Sequence, residues 1–151
     1  MNIKKTYKYF NEGLMIIISS PSGAGKTTLC QKISSIDRKI NLSISYTTRK
    51  KRKSEVNGQH YLFISKNKFL KMKNSKKLLE YAKVFGNNYG TPIENIKTKI
   101  KSKKDVLFDI DWQGAKQIRK KFPNNVVDIF ILPPSIKELK SRLMKRGQDD
   151  I

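Results

Sequence analysis

The sequence predicts an α/β domain with a parallel sheet at its centre, and three observations point there. Apolar runs of strand length recur at 14–18 (LMIII), 106–110 (VLFDI) and 126–132 (VVDIFIL). Stretches with helical periodicity separate them, the order expected of strand–helix–strand units with a parallel sheet. Chemistry-bearing residues follow two of the runs: SSPSGAGKTT at 19–28, and the pair Asp109 and Asp111. In open parallel sheets ligands sit at the carboxyl ends of strands, so the two features are expected to share one site.

Each element has its own signal. Residues 14–18 are apolar without a break, the mark of a strand buried on both faces. Leu29, Ile33 and Ile36 are spaced i, i+4, i+7, which predicts a helix with one buried stripe. Residues 61–64 (YLFI) and 78–84 read as strands, 65–73 as a short helix and 86–90 (GNNYG) as a turn-rich loop. Thr91, Pro92 and Glu94 predict a helix start, with Thr91 as N-cap and Glu94 closing a capping box. Residues 106–111 form a second buried strand, followed by a helix through Ala115, Ile118 and Phe122. After the third apolar strand, Pro133 and Pro134 stop the chain, and Ser135 with Glu138 predicts another capping box. The helix it opens carries Leu139 and Leu143 on one face and Arg142 and Arg146 on another.

Composition bounds the function. The chain of 151 residues suits one domain, with residues 1–13 as a polar leader. The net charge of +21 invites a nucleic-acid reading. However, 27 of the 33 basic residues are Lys and only 6 are Arg, whereas groove recognition leans on Arg; nucleic acid is therefore not the expected partner. A single cysteine, Cys30, and a single histidine, His60, exclude an internal disulfide and a cysteine- or histidine-built metal centre. The start of the chain has no apolar stretch of signal-peptide length, and residues 14–18 are too few to span a bilayer. The expected location is cytoplasmic, with no membrane partner. Oligomeric state has no signature here.

The stretch Ser20, Pro21, Ser22, Gly23, Ala24, Gly25, Lys26, Thr27 fits the phosphate-loop pattern, with Ser20 in place of the first glycine. Its glycines let successive backbone N–H groups face phosphate oxygens, and the following helix adds its positive end. Lys26 is expected at the β/γ-phosphates of a nucleoside triphosphate and the Thr27 hydroxyl on Mg²⁺.

The acceptor is read from the middle of the chain. SISYTTR at 43–49, Arg52, EVNGQHY at 55–61, LEYA at 79–82, FGNNYGT at 85–91, FDIDWQG at 108–114 and ILPPS at 131–135 occur in order. Together they resemble the guanylate kinase family. The resemblance runs from about residue 14 to the end, and Arg142 and Arg146 resemble the start of that family's lid. It implies a P-loop nucleoside monophosphate kinase fold: core at 14–43 and 92–135, GMP-binding insertion at 44–91, and a partial lid at 136–151. It implies transfer of the γ-phosphoryl of ATP to GMP, with Mg²⁺ accompanying ATP. Ser45, Glu80, Thr91 and Asp111 would meet the guanine; Arg49, Arg52, Tyr61 and Tyr89 would meet the GMP phosphate; Asp109 would sit near Mg²⁺ through water. Lys26, Arg49, Arg52, Arg142 and Arg146 would carry the catalysis.

The residue types suit those roles. Guanine presents N1–H and N2–H₂ donors, which carboxylates accept and adenine does not match. Buried hydrogen bonds of this kind can discriminate by about 10⁴–10⁵. Arginine forks suit a phosphate, where lysine is only a point charge.

The chain departs from the family pattern in places. Lys50 and Lys51 replace a proline-containing linker, Ser54 replaces a glycine and Asn88 a tyrosine. The family's chain continues past the position of Ile151, so a fragment or shortened product is expected, with a half-built lid and an exposed sheet edge. A non-catalytic guanylate-kinase-like binding module, or an inactive fragment, is the alternative.

Overall fold

The computed structural model describes residues 12–146. Two four-stranded sheets organise them. The first is wholly parallel, in the order β2-β7-β1-β8, with β1 Met15–Ser19, β2 Asn41–Leu42, β7 Val106–Asp109 and β8 Val126–Phe130. Its alternation sorts the core. Met15, Ile17, Val106 and Phe108 point to one face, against Ile96 and Ile100 of α3 (Ile93–Lys101) and Ala115 and Ile118 of α4 (Trp112–Lys121). Ile16, Ile18 and Leu107 point to the other, against Cys30 and Ile33 of α1 (Lys26–Ile36). Helices on both faces explain why β1 and β7 are apolar at nearly every position.

The second sheet has the order β4-β3-β6-β5, with β3 Tyr46–Thr47, β4 Leu62–Phe63, β5 Leu78–Val84 and β6 Asn87–Pro92. β3 pairs β4 in parallel and β6 antiparallel, and β5 pairs β6 antiparallel. Helix α2 (Lys66–Asn74), capped by the Ser65 side chain, buries Phe69. α4 fastens this sheet to the first. The Gln117 side chain accepts from Tyr81 N–H at 3.2 Å and donates to Tyr81 C=O at 2.6 Å, extending the edge of β5. Basic residues fall in the last turns of α2, α3 and α4 (Lys71, Lys73, Lys99, Lys101, Arg119, Lys120 and Lys121), where they complement the negative helix ends.

Four local expectations are corrected. The buried stripe of α1 runs through Cys30 and Ile33, while Leu29 and Ile36 are exposed, because the helix presents a neighbouring face to the sheet. Residues 86–90 are mostly strand. The turn is only Phe85 and Gly86, both at positive φ (45° and 75°), the geometry that matches the twist of a two-residue hairpin. Thr91 does not cap α3: Pro92 is the N-cap position with no side-chain cap, and the Thr91 hydroxyl is engaged within the sheet. Ser135 does accept from Glu138 N–H at 3.1 Å, but the Glu138 carboxylate turns to Arg142 instead of closing the box.

Strand β8 lies at the sheet edge, and Val127, Ile129 and Phe130 are exposed on it. α5 (Ile136–Arg146) follows. Residues 1–11 of the expected leader and 147–151 of the expected lid lie outside the described residues, as does the side chain of Arg146. Among the described residues no helix is long and apolar enough to cross a membrane.

Candidate functional site

One open cleft between the two sheets gathers the sequence-predicted residues. Its first wall is the loop from Ser20 to Thr27, which leaves β1 and enters α1. Gly23 and Gly25 adopt φ of 84° and 93°, a left-handed conformation that turns the loop back over the helix start. Gly25 is the N-cap of α1 without a side-chain cap, so no side chain of the cap residue satisfies the first N–H groups of the helix, a setting that suits an anion. A Cβ on Gly23 would stand 3.0 Å from Leu143 and 3.3 Å from Leu139, so the apolar face of α5 rests on this loop. That packing brings Arg142 to the rim of the cleft, paired with Glu138 at 2.8 Å.

Lys26 forms an ion pair with Asp109, joining the phosphate loop to the carboxyl end of β7. Thr27 and Asp109 also line a small recess with Ser43, whose buried Oγ has no hydrogen-bond partner among the described residues. Hydroxyl and carboxylate oxygens are the donors that suit Mg²⁺, which takes one or two protein ligands plus phosphates and water. The donor set therefore fits a nucleotide-borne Mg²⁺.

The opposite wall comes from the second sheet. Arg49 donates to both oxygens of Glu55, at 3.0 and 2.6 Å, and Glu55 also accepts from Arg52 N–H at 2.8 Å. The Arg49 guanidinium lies 5.6 Å from the Tyr61 ring centroid and 5.8 Å from that of Phe63. Tyr61 in turn meets Tyr89 edge-on at 5.9 Å. Burial opposes the Arg49 charge, but Glu55 and Tyr89 outweigh it and strengthen the cation. Burial also pushes the Tyr61 hydroxyl up, keeping it a neutral donor.

Glu80 lies deep in the cleft, 2% exposed. It pairs across strands with Thr91, whose hydroxyl donates to it at 2.7 Å; Ser45 Oγ lies 3.0 Å from the same Thr91 oxygen. Burial pushes the Glu80 carboxyl up to about 7, against the Thr91 hydrogen bond, and nearby Asp111 adds to the rise. Asp111 is the N-cap of α4, accepting from Gln113 N–H at 3.1 Å and Gly114 N–H at 3.0 Å.

The structure thus brings together Ser20 through Thr27, Ser45, Arg49, Arg52, Tyr61, Glu80, Tyr89, Asp109, Asp111 and Arg142, with Thr91 just behind Glu80. Comparison with known proteins places the chain in a family. The family model described as Guanylate kinase matches residues 12–151. The chain belongs to the guanylate kinase family. It is 53% identical over 137 residues to the guanylate kinase of Agrobacterium fabrum, covering 91% of this chain and 62% of that protein. It is 51% identical over 143 residues to that of Rickettsia prowazekii, covering 95% and 72%. It is also similar to the crystal structure of guanylate kinase from Anaplasma phagocytophilum, at 35% identity and a TM-score of 0.77, covering 89% of this chain and 68% of that one. The chain therefore spans less than two thirds of the first of these guanylate kinases.

Two features of the guanylate kinase site escape sequence reading. Glu55 stands there only as part of a motif, yet it holds the Arg49 fork; its signal is a lone carboxylate close to Arg49, Lys50, Lys51, Arg52 and Lys53. Gly114 likewise stands only in its motif, and nothing local marks it as a contact of Glu80.

Proposed function

We propose that this chain is the phosphoryl-transfer part of an ATP:GMP phosphotransferase, forming ADP and GDP. The observation that carries the reading is one cleft with a phosphate loop on one wall and, on the other, an arginine fork beside a buried carboxylate. In this reading a GMP phosphate oxygen attacks the γ-phosphorus of ATP. The bond from that phosphorus to the β–γ bridging oxygen breaks, and ADP leaves with the electron pair.

Such a reaction needs positioning and charge neutralisation, not a protein nucleophile. Backbone N–H groups of the loop from Ser22 to Thr27 hold the ATP phosphates, and Lys26 moves from Asp109 to the β/γ-oxygens. Thr27 and Asp109 are the residues that would hold Mg²⁺, Asp109 through water, and the ion would supply charge neutralisation at the phosphates. Arg49, Arg52, Tyr61 and Tyr89 orient the GMP phosphate. Ser45, Glu80 and Asp111 accept from and donate to the guanine edge, and Thr91, expected there too, holds Glu80 from behind. Arg142 and Arg146 steady the transferring group from the lid side. With these small-molecule substrates, the reading sets the protein in the cytoplasm.

The test is to incubate the protein with ATP, Mg²⁺ and GMP and resolve the nucleotides. One ADP and one GDP for each ATP consumed supports the reading. ADP with free phosphate and no GDP contradicts it, as does no turnover by a folded sample, which favours a binding module.

A further inference from the structure

Gly114 stands between two carboxylates of the cleft, Glu80 and Asp111. Its N–H donates to Asp111 Oδ1 at 3.0 Å, so its backbone fixes one of them. Its missing side chain makes room for the other. A Cβ built there would stand 3.0 Å from Glu80 Cδ, closer still to Glu80 Oε2, and 3.3 Å from Ile110 Cδ1. Glu80 cannot easily yield, because it is buried and tied to Thr91 across the strands. Gly114 lies in the first turn of α4, where alanine would favour the helix. Glycine here therefore works against local helix stability and serves the space beside it.

We infer that Gly114 is a specificity-determining position: its bare Cα seats the Glu80 carboxylate at the separation from Asp111 that reads a guanine edge. It does not line the cleft and acts through Glu80, so it is a positioning residue. The inference rests on the guanine reading above and adds the residue that sets its geometry.

The test is a double-substitution cycle with Gly114→Ala and Glu80→Asp, reading GMP and ATP affinity by calorimetry and the melting temperature of each variant. Gly114→Ala should weaken GMP binding about tenfold or more, the scale of a displaced hydrogen bond to a charged group. ATP affinity should not change. Glu80→Asp, which withdraws the carboxylate by one methylene, should cost less GMP affinity when combined with Gly114→Ala than alone. Unchanged GMP affinity in Gly114→Ala overturns the inference, and so do effects that simply add. If Gly114→Ala unfolds, the double variant decides. A folded double variant that binds GMP supports the inference; one equally unfolded shows that the methyl clashes elsewhere and overturns it. Wild-type protein with no preference for GMP over AMP would sink the guanine reading itself, and that failure is visible before any variant is made.

Discussion

Arg49 lies fork to fork against Glu55, its terminal nitrogens 3.0 and 2.6 Å from the two carboxylate oxygens, with the Tyr61 and Phe63 rings on its flank. Both side chains are largely buried, so removing one partner strands the other's charge. Glu55→Ala should lower stability by about 1–3 kcal/mol in urea unfolding. Arg49→Lys should recover little of the pair, since an ammonium cannot reproduce the fork. In binding assays Arg49→Lys should weaken GMP more than guanosine, because only GMP carries the phosphate that Arg49 is proposed to orient. Equal losses for both ligands would place Arg49 elsewhere in the site.

Acid should weaken this pair in a defined direction. Burial alone would raise the Glu55 carboxyl, but the Arg49 hydrogen bond and Arg52 N–H bring it below its ordinary 4.5. Its stabilisation is therefore complete above pH 4.5 and lost as pH falls through the lower folded value. The stability advantage of wild type over Glu55→Gln should shrink on acidification below that point. An advantage independent of pH would contradict the ionised pair.

Glu80 carries the opposite sign. Its carboxyl is raised from 4.5 to about 7, so folding favours the protonated form. That contribution is full below pH 4.5 and is lost as pH rises through 7. Across this window wild type should lose about 3 kcal/mol relative to Glu80→Gln, read as melting temperature against pH. Parallel curves would show that Glu80 is not a titrating buried acid.

Asp111 has two tasks that substitution can separate. It caps α4, and it stands beside Glu80 in the cleft. Asn caps a helix about as well as Asp, whereas Ala costs about 1 kcal/mol. Asp111→Asn should keep stability while lowering the preference for GMP over AMP; Asp111→Ala should lose both. Full GMP preference in Asp111→Asn would leave Asp111 with the cap alone.

In the proposed reading Lys26 and GMP take opposite walls of the cleft. Lys26→Ala should cut phosphoryl transfer about a hundredfold or more while leaving GMP affinity intact. Loss of GMP binding in a folded Lys26→Ala protein would contradict this division.

The central sheet was legible because β1 and β7 are covered on both faces, so burial writes itself into the whole run of residues. The loop at 20–27 was legible because its glycines serve backbone geometry and Lys26 follows them within one short stretch. Thr91 misleads because its sequence neighbours satisfy a capping box, while its hydroxyl answers to Glu80 across a strand pair. The stripe of α1 misleads by one face because Leu29 and Ile36 carry the spacing but Cys30 carries the burial. Gly114 and Glu55 act through contacts set by tertiary packing or loop shape, which no periodicity records.

In the proposed reading this cleft delivers phosphoryl to a guanine nucleotide. The deciding measurement is the initial rate of ADP release from ATP and Mg²⁺ with GMP, dGMP, AMP, CMP and UMP, in wild type and in Lys26→Ala. Release should be fast with GMP, slow with AMP, CMP or UMP, and nearly lost with every acceptor in Lys26→Ala. AMP matching or outpacing GMP would contradict it.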